Sequence, residues 1–599
     1  MSLRTPLRPL ARILDARAKG ENPDRIEREN ILARGEANRE GARVRAERRL
    51  KLVVLIFLVG FGWVGLRMGQ LAASTPEEPR RAEAAPAILA QRADITDRNG
   101  RILATNLVTH ALYAQPQQLI DPQGTAAKLA QIFPDLDAQS LEKDFTGPRK
   151  FLWIKKKISP EQMQAVHDIG DPGLLFGPRE MRLYPNGRLA AHVLGGARFG
   201  AQDVAAAEIV GIAGVEKAFD GWLRDPDNLG APLVLSIDLT VQQAVEEILA
   251  GGMKLMNAKG ATAVVLEVRT GEVVAMASLP DFDPNDRPAP LTKGDAADSP
   301  LFNRAVQGLY ELGSTFKIFA VAQALELGLV NPETMIDTKS PMTWGRFKIR
   351  DFHNYGPALS TTDVIVESSN VGTARIALMI GGERQKAFLE RFGFLSATPL
   401  ELSEAATGRP ILPPKWGEIS SMTVGYGHGL AASPLHLASA YATIANGGVR
   451  LAPTLVHRAT PPEGERVMSA QAAAQSLAMM RAVVTRGTAS FADVKGYEVA
   501  GKTGTADKVK PGGGYYEDKV IATFASAFPA SDPKYVLVLS LDEPVTFAAA
   551  ETRRTAGWTA VPVAAEVIRR IAPLLGLRPA QTVPEEMAGI TLVKAAKGH

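Results

Sequence analysis

Ser314-Thr315-Phe316-Lys317, followed by IFAVAQALEL from Ile318 to Leu327 and then by Gly328, reads as the head of an apolar helix. Ser and Lys three positions apart share one helix face, so the lysine amine can reach the serine hydroxyl. A hydroxyl is a poor nucleophile until a neighbouring base takes its proton. A lysine serves as that base only when neutral, which burial and nearby positive charge favour. A helix N-terminus also aims backbone N–H groups at developing negative charge. The spacing alone carries little weight, because Ser140-Leu141-Glu142-Lys143 repeats it in a polar setting without partner motifs.

Outward from this helix the chain is strand-rich on both sides. Leu233–Ile237 reads as a short apolar strand, and Asp238 as the cap of a helix that runs through Leu249 and is ended by Gly251-Gly252. Ala261–Glu267 and Glu272–Ser278 flank Arg269-Thr270-Gly271 and read as a hairpin. About 200 mostly helical residues follow, then three strand-like runs, Tyr497–Thr505, Val520–Phe528 and Tyr535–Leu541, and a last helix over Val561–Leu575. Two strands, a helical insertion and three strands predict an α+β domain: a five-stranded antiparallel sheet flanked by helices.

Two more short motifs fall inside this frame. Ser368-Ser369-Asn370 precedes a helix pattern over Val371–Leu378 and describes an ordinary helix N-cap equally well. As chemistry, it sets the Ser368 hydroxyl beside the nucleophile as a proton relay and lets Asn370 hydrogen-bond a substrate amide. Lys502-Thr503-Gly504-Thr505 lies in a strand pattern. Glycine within a strand marks the close approach of a ligand or another backbone; Lys502 adds positive potential, and the Thr503 and Thr505 hydroxyls suit a carboxylate. An edge strand with a bulge is the alternative. Ser368 follows Ser314 by 54 residues and Lys502 lies a further 134 on. The eight histidines show no metal-ligand spacing, and His353 and His428 fall in loops, where a structural role is expected. Tyr515 and Tyr516, after a Gly-rich turn, are candidates to line a cleft.

Leu52–Ala73 contains one charge, Arg67, in 22 residues, and a membrane-spanning helix needs about 20. Arg43, Arg45, Arg48, Arg49 and Lys51 precede it, so residues 1–51 are expected in the cytoplasm and the rest outside. A cleaved signal peptide would require an unusually long basic leader. Residues 1–51 are read as a solvated tail, helical or disordered, 74–87 as a Pro/Glu/Ala-rich linker, and 88–232 as an irregular α+β module. The domain proper spans 233–576, with a loosely structured tail at 577–599. The chain has no cysteine, which removes disulfides, thiolate zinc sites and a cysteine nucleophile. A net charge of +4 over 599 residues gives nucleic-acid binding little support.

The ordered trio S-x-x-K, S-x-N, K-T-G is that of penicillin-binding proteins and related β-lactamases, and the chain resembles the class B penicillin-binding proteins well beyond it. Arg92-Ala93-Asp94-Ile95-Thr96-Asp97-Arg98-Asn99-Gly100, Arg182-Leu183-Tyr184-Pro185 with Ala191-His192-Val193-Leu194-Gly195, and Gly214-Val215-Glu216-Lys217 look like motifs of the family's pedestal (dimerisation) domain. Asn303-Arg304-Ala305 stands where the family often has it, ahead of the serine, and Tyr426-Gly427-His428-Gly429 with Pro434-Leu435-His436-Leu437-Ala438 resembles the family's segment between the second and third motifs. Gly501–Asp507, Lys508-Val509 and Pro529-Ala530-Ser531 are similar to the division-specific branch (the FtsI type), the elongation-specific branch being the near rival. Leu312 departs from the proline the family often has. The resemblance implies a transpeptidase domain on an elongated pedestal with one transmembrane helix. It implies a septal peptidoglycan D,D-transpeptidase in which Ser314 is acylated, Lys317 is the base, and the N–H groups of Ser314 and Thr505 form the oxyanion hole. Ser368 with Lys502 relays a proton, while Asn370, Thr503, Gly504 and Thr505 bind substrate. Stem peptides are the implied substrate, β-lactams the covalent inhibitors, and a lipid-linked-glycan polymerase (FtsW type) with other division proteins the partners. No metal or organic cofactor is implied. The rival functions are the same chemistry in elongation, a β-lactamase or carboxypeptidase, and a non-catalytic scaffold or β-lactam sensor.

Overall fold

The computed structural model describes residues 10–73, 92–199, 209–228, 230–510, 512–548 and 551–580. The expected linker at 74–87, the first nine residues of the tail and the C-terminal stretch from 581 lie outside them. The chain divides into two units, Met1–Ala87 and Ile88–His599.

In the first unit, helices span Leu10–Ala18 and Pro23–Ala73. Of the two readings for the N-terminal tail, its described part is therefore helical. The charged half of the long helix is laced by i,i+4 pairs, Arg25–Glu29 and Arg43–Glu47. Its apolar half has no protein cover, and it is the one helix among the described residues long and apolar enough to cross a membrane.

In the second unit, the sheet predicted from sequence is present. Its strands are β1 (Gly260–Glu267), β2 (Val273–Leu279), β3 (Ala500–Val509), β4 (Tyr515–Phe528) and β5 (Tyr535–Asp542). They run in the order β3-β4-β5-β1-β2, antiparallel throughout. β1, β2 and β5 are buried along nearly their whole length, because helices cover both faces. Strands covered on both sides read as continuous apolar runs rather than as alternation. Helices α1 (Leu239–Leu255) and α7 (Ala560–Leu574) pack together over one face, and α5 (Pro434–Ala445) over the other. β3 is an edge strand, covered by the turn that carries Ser314 and by α6 (Ala470–Arg486).

Two sequence expectations need correction. Gly251-Gly252 does not end α1, which Asp238 caps through the N–H groups of Thr240 and Val241 and which runs to Leu255. Gly252 instead lets two helices close in: a Cβ there would lie 2.5 Å from Val563 Cγ1. Leu233–Ile237 is a strand only over Leu233–Val234, which pairs in parallel with Ile95–Thr96 of the N-terminal module rather than joining β1–β5.

In that module, Ile102–Ala114 pairs with Leu174–Leu183, Leu152–Ile158 and Ile95–Thr96. The three motifs noted there meet at one side chain. Glu216, fully buried, accepts from Arg92 Nε at 2.6 Å, from Arg182 Nε at 2.7 Å and from the Tyr184 hydroxyl at 3.3 Å. Arg92 also donates to Asp220 Oδ1 at 2.7 Å and to the Glu216 carbonyl at 2.6 Å. Arg98 spans to Glu272 at 2.6 Å and Glu267 at 3.0 Å on the β1–β2 hairpin. The signature at 92–100 therefore ties the module to the sheet domain.

Candidate active site

Helix α2 (Lys317–Glu326) is buried on nearly every side. Phe316 and Phe319 pack with Phe392, Phe394 and Tyr441 at ring separations of 4.6–5.7 Å, and the Tyr441 hydroxyl donates to the Thr315 carbonyl at 2.9 Å. An apolar helix without a polar face is a core element, which makes it a rigid base for the nucleophile. Ser314 itself sits one turn earlier than a helix opening at that residue would put it, in a 3₁₀ turn over Gly313–Phe316. It is half-buried, and its hydroxyl makes no hydrogen bond among the described residues.

Three glycines bring three chain segments together just before this turn. Gly313, at φ +54°, would place a Cβ 2.8 Å from the Thr505 carbonyl oxygen. Gly504 would place one 2.4 Å from the Leu312 oxygen, and Gly427 one 1.8 Å from the Gly313 oxygen. The glycine of the strand motif thus marks the approach of another backbone, and the peptides of Ser314 and Thr505 become neighbours. Leu312, at the position of the missing proline, is fully buried, and its carbonyl accepts from the Thr315 hydroxyl at 2.8 Å.

Ser368 is the centre of the cluster. Lys317 Nζ donates to its Oγ at 3.1 Å and also to its carbonyl. Lys502 Nζ donates to the same Oγ at 3.0 Å and to the Thr503 carbonyl at 3.1 Å. A hydroxyl accepts twice and donates once, so both acceptor positions are filled by lysines and one hydrogen remains to be passed on. Ser368 holds φ +61°. The cause is local: α3 (Thr361–Val366) ends with Ser369 N–H to the Val364 carbonyl and Ser368 N–H to the Ile365 carbonyl, the paired bonds of a Schellman cap, whose left-handed position normally takes glycine. A serine there costs about 1–2 kcal/mol and brings a hydroxyl.

Both lysines lie in the interior, 1% and 0% exposed. Burial, reinforced by the charge of Lys502, drives the Lys317 amine well below its ordinary value of 10.5, against a weaker pull from Asp351. Burial alone brings Lys502 down to about 7. The cluster can therefore hold a neutral amine beside a hydroxyl at physiological pH.

The remaining predicted residues lie around this core with partners of their own. Asn370 begins α4 (Asn370–Ile380), capped by Ser369, and its side-chain amide donates to the Arg350 carbonyl at 2.9 Å. Thr503 Oγ1 lies 2.7 Å from Thr488 Oγ1, and Thr505 Oγ1 accepts from the Ala556 N–H at 2.9 Å. Sequence reasoning missed Asp351, which accepts from the Ser369 hydroxyl at 2.8 Å, the Asn370 N–H at 2.5 Å and the Val371 N–H at 3.0 Å. Nothing local in Arg350-Asp351-Phe352 points to a helix that starts 19 residues later. His353 packs against Phe352 and Tyr355. His428 and Tyr515 meet at Glu311, a residue sequence reasoning had not singled out. Ser140, of the matching S-x-x-K pattern, lies in a helix capped by Asp137 in the N-terminal module.

The penicillin binding protein transpeptidase domain model matches residues 261–569, and the penicillin-binding protein dimerisation domain model matches residues 87–229. A relative from Caulobacter vibrioides, named a probable peptidoglycan D,D-transpeptidase FtsI, is 35% identical over 91% of each chain. The Escherichia coli K12 peptidoglycan D,D-transpeptidase FtsI is 30% identical over 82% of this chain and 86% of its own. The crystal structure of penicillin-binding protein 3 from Mycobacterium tuberculosis with aztreonam aligns with a TM-score of 0.61 at 26% identity, over 82% of this chain and 97% of that one. The chain belongs to the class B penicillin-binding proteins.

Proposed function

We propose that this chain is a penicillin-sensitive serine D,D-transpeptidase that cross-links peptidoglycan stem peptides at the division septum. The neutral Lys317 amine takes the proton of Ser314, whose Oγ attacks the penultimate D-Ala carbonyl. The N–H groups of Ser314 and Thr505 hold the oxyanion, where one such donor is typically worth about 10²–10³ in rate. Ser368, with Lys502 behind it, passes a proton to the leaving D-Ala nitrogen. Asn370, Thr503, Gly504 and Thr505 hold the substrate. An amine of a neighbouring stem then takes the acyl group from Ser314; a β-lactam leaves Ser314 acylated.

The observation that carries this reading is a single hydroxyl, Ser368 Oγ, shared by two buried lysines with lowered proton affinity. The FtsI names of the Caulobacter and Escherichia relatives favour division over elongation. The basic residues ahead of Leu52 favour a single-pass anchor with its N-terminus in the cytoplasm and the catalytic domain outside. There the enzyme works beside a lipid-linked-glycan polymerase of the FtsW type and other division proteins. Fluorescent-penicillin labelling of the detergent-solubilised chain tests the chemistry: Ser314→Ala loses the label, and equal labelling of both forms overturns the assignment. Depletion tests the role: filaments are expected, whereas rounded cells would favour elongation.

A further inference from the structure

A second polar cluster lies three residues ahead of Ser314. The Glu311 side chain is 9% exposed. Its Oε2 lies 3.0 Å from His428 Nδ1, its Oε1 accepts from the Gly429 N–H at 2.8 Å, and the Tyr515 hydroxyl donates to both oxygens at 3.1 Å. Burial raises the proton affinity of this carboxyl, but the bonds from His428, Gly429 and Tyr515 outweigh it and hold the group below the usual carboxylate range. An ionised carboxylate only accepts. Nδ1 therefore carries a ring hydrogen, which in the neutral imidazole leaves the lone pair on Nε2. The ring is one-third exposed and edge-on to Tyr426 and Tyr515, and Nε2 makes no hydrogen bond among the described residues.

Backbone contacts tie the loop that carries this imidazole to the nucleophile turn. The Gly313 N–H donates to the Gly427 carbonyl at 3.2 Å, so the residue before Ser314 is bonded to the residue before His428. The charged and titratable groups around the ring are Glu311 from the strand entering the nucleophile turn, Tyr426 from its own loop, and Tyr515 from the β3–β4 hairpin, where Asp507 acts on Tyr515.

We propose that His428 is the base that readies the acceptor amine in the second half-reaction, with Glu311 fixing its tautomer and balancing the imidazolium charge. The proposal rests on the acyl transfer at Ser314 put forward above. His428 enters none of the bonds that join Lys317, Ser368 and Lys502, so the donor half proceeds without it. The acceptor amine arrives as an ammonium and gives one proton to Nε2. Its neutral nitrogen attacks the Ser314 ester carbonyl; the C–N bond forms and the C–Oγ bond breaks. The second N–H proton passes through Lys317 and Ser368 to Ser314 Oγ, and the imidazolium releases its proton to water. The arrangement of imidazole on a buried carboxylate is that of an oriented general base. General bases of this kind contribute about 10²–10⁴ in rate.

The test uses the full chain in detergent with a thioester donor and a D-amino acid acceptor. It follows Ser314 acylation by fluorescent penicillin separately from the partition of the acyl-enzyme between aminolysis and hydrolysis. In His428→Gln, acylation is expected within about twofold of wild type, while aminolysis relative to hydrolysis falls at least about tenfold. In His428→Ala, added imidazole is expected to restore aminolysis, which a purely structural role would not allow. His457→Gln is the control: His457 also meets a carboxylate, 3.1 Å from Glu272 Oε2, but beside β2 at the opposite edge of the sheet. An unchanged partition in His428→Gln overturns the proposal, as does an equal fall of acylation and aminolysis or a failure of imidazole rescue. Labelling of Ser314→Ala would instead sink the underlying acyl-transfer reading.

Discussion

Two clusters of buried cations in this chain are handled in opposite ways. In the N-terminal module, Arg92 and Arg182 share the Glu216 carboxylate, and Asp220 takes a further bond from Arg92. In the sheet domain, Lys317 and Lys502 donate only to a hydroxyl and to backbone carbonyls. A guanidinium keeps its proton and forks onto carboxylates, whereas an ammonium gives up its proton when buried without a counter-charge. The first cluster is thus a charged joint that holds the module together. The second is a proton-handling site whose usefulness depends on the missing carboxylate.

This contrast is broken most directly at the lysine. Lys317→Met is expected to slow Ser314 acylation by about 10²–10⁴, read from stopped-flow labelling with a fluorescent penicillin. Because no carboxylate loses a partner, stability should hold or rise. A rate within tenfold of wild type would show that the buried amine is not the base.

Removing a partner from the arginine joint should do the reverse. Glu216→Ala leaves two guanidiniums in the interior without their shared acceptor, at about 3–5 kcal/mol. Thermal and denaturant unfolding of the purified full chain measure this, while the folded fraction should still be labelled by penicillin. A loss under about 1 kcal/mol, in the range of an exposed pair, would place the joint among dispensable surface bridges.

The smallest effect is a slope with pH. Below about 7 both folded and unfolded Lys502 carry the proton, so folding bears the full burial penalty. Between about 7 and 10.5 the folded amine is neutral while the unfolded one is still charged. Unfolding then takes up a proton, and stability rises with pH by at most about 1.4 kcal/mol per unit. Lys317, also driven below 10.5, adds to the rise, so Lys502→Met should reduce it without abolishing it; an unchanged slope assigns the rise to other groups.

How much of this was legible beforehand differs by element. β1, β2 and β5 were readable because each is a contiguous apolar run, and α1 because Asp238 caps it. The end of α1 was misread because Gly252 answers to Val563, more than 300 positions away. The nucleophile turn was read as helix because a 3₁₀ turn and an α-turn share nearly the same spacing.

The sequence by itself determined the order of the three motifs, the apolar helix behind Ser314, the strand pattern of the sheet and the membrane-length segment. All of these are carried by local spacing and hydropathy. Only the tertiary structure decided that Lys317 and Lys502, 51 and 134 positions from Ser368, converge on its hydroxyl, that Asp351 holds the start of α4, and that Glu216 gathers three separate motifs. Local periodicity carries no information on such distances. They are set when the burial of α2 and the edge of β3 bring remote segments into one interior, where each buried polar group must find a partner or, as the two lysines do, shed its charge.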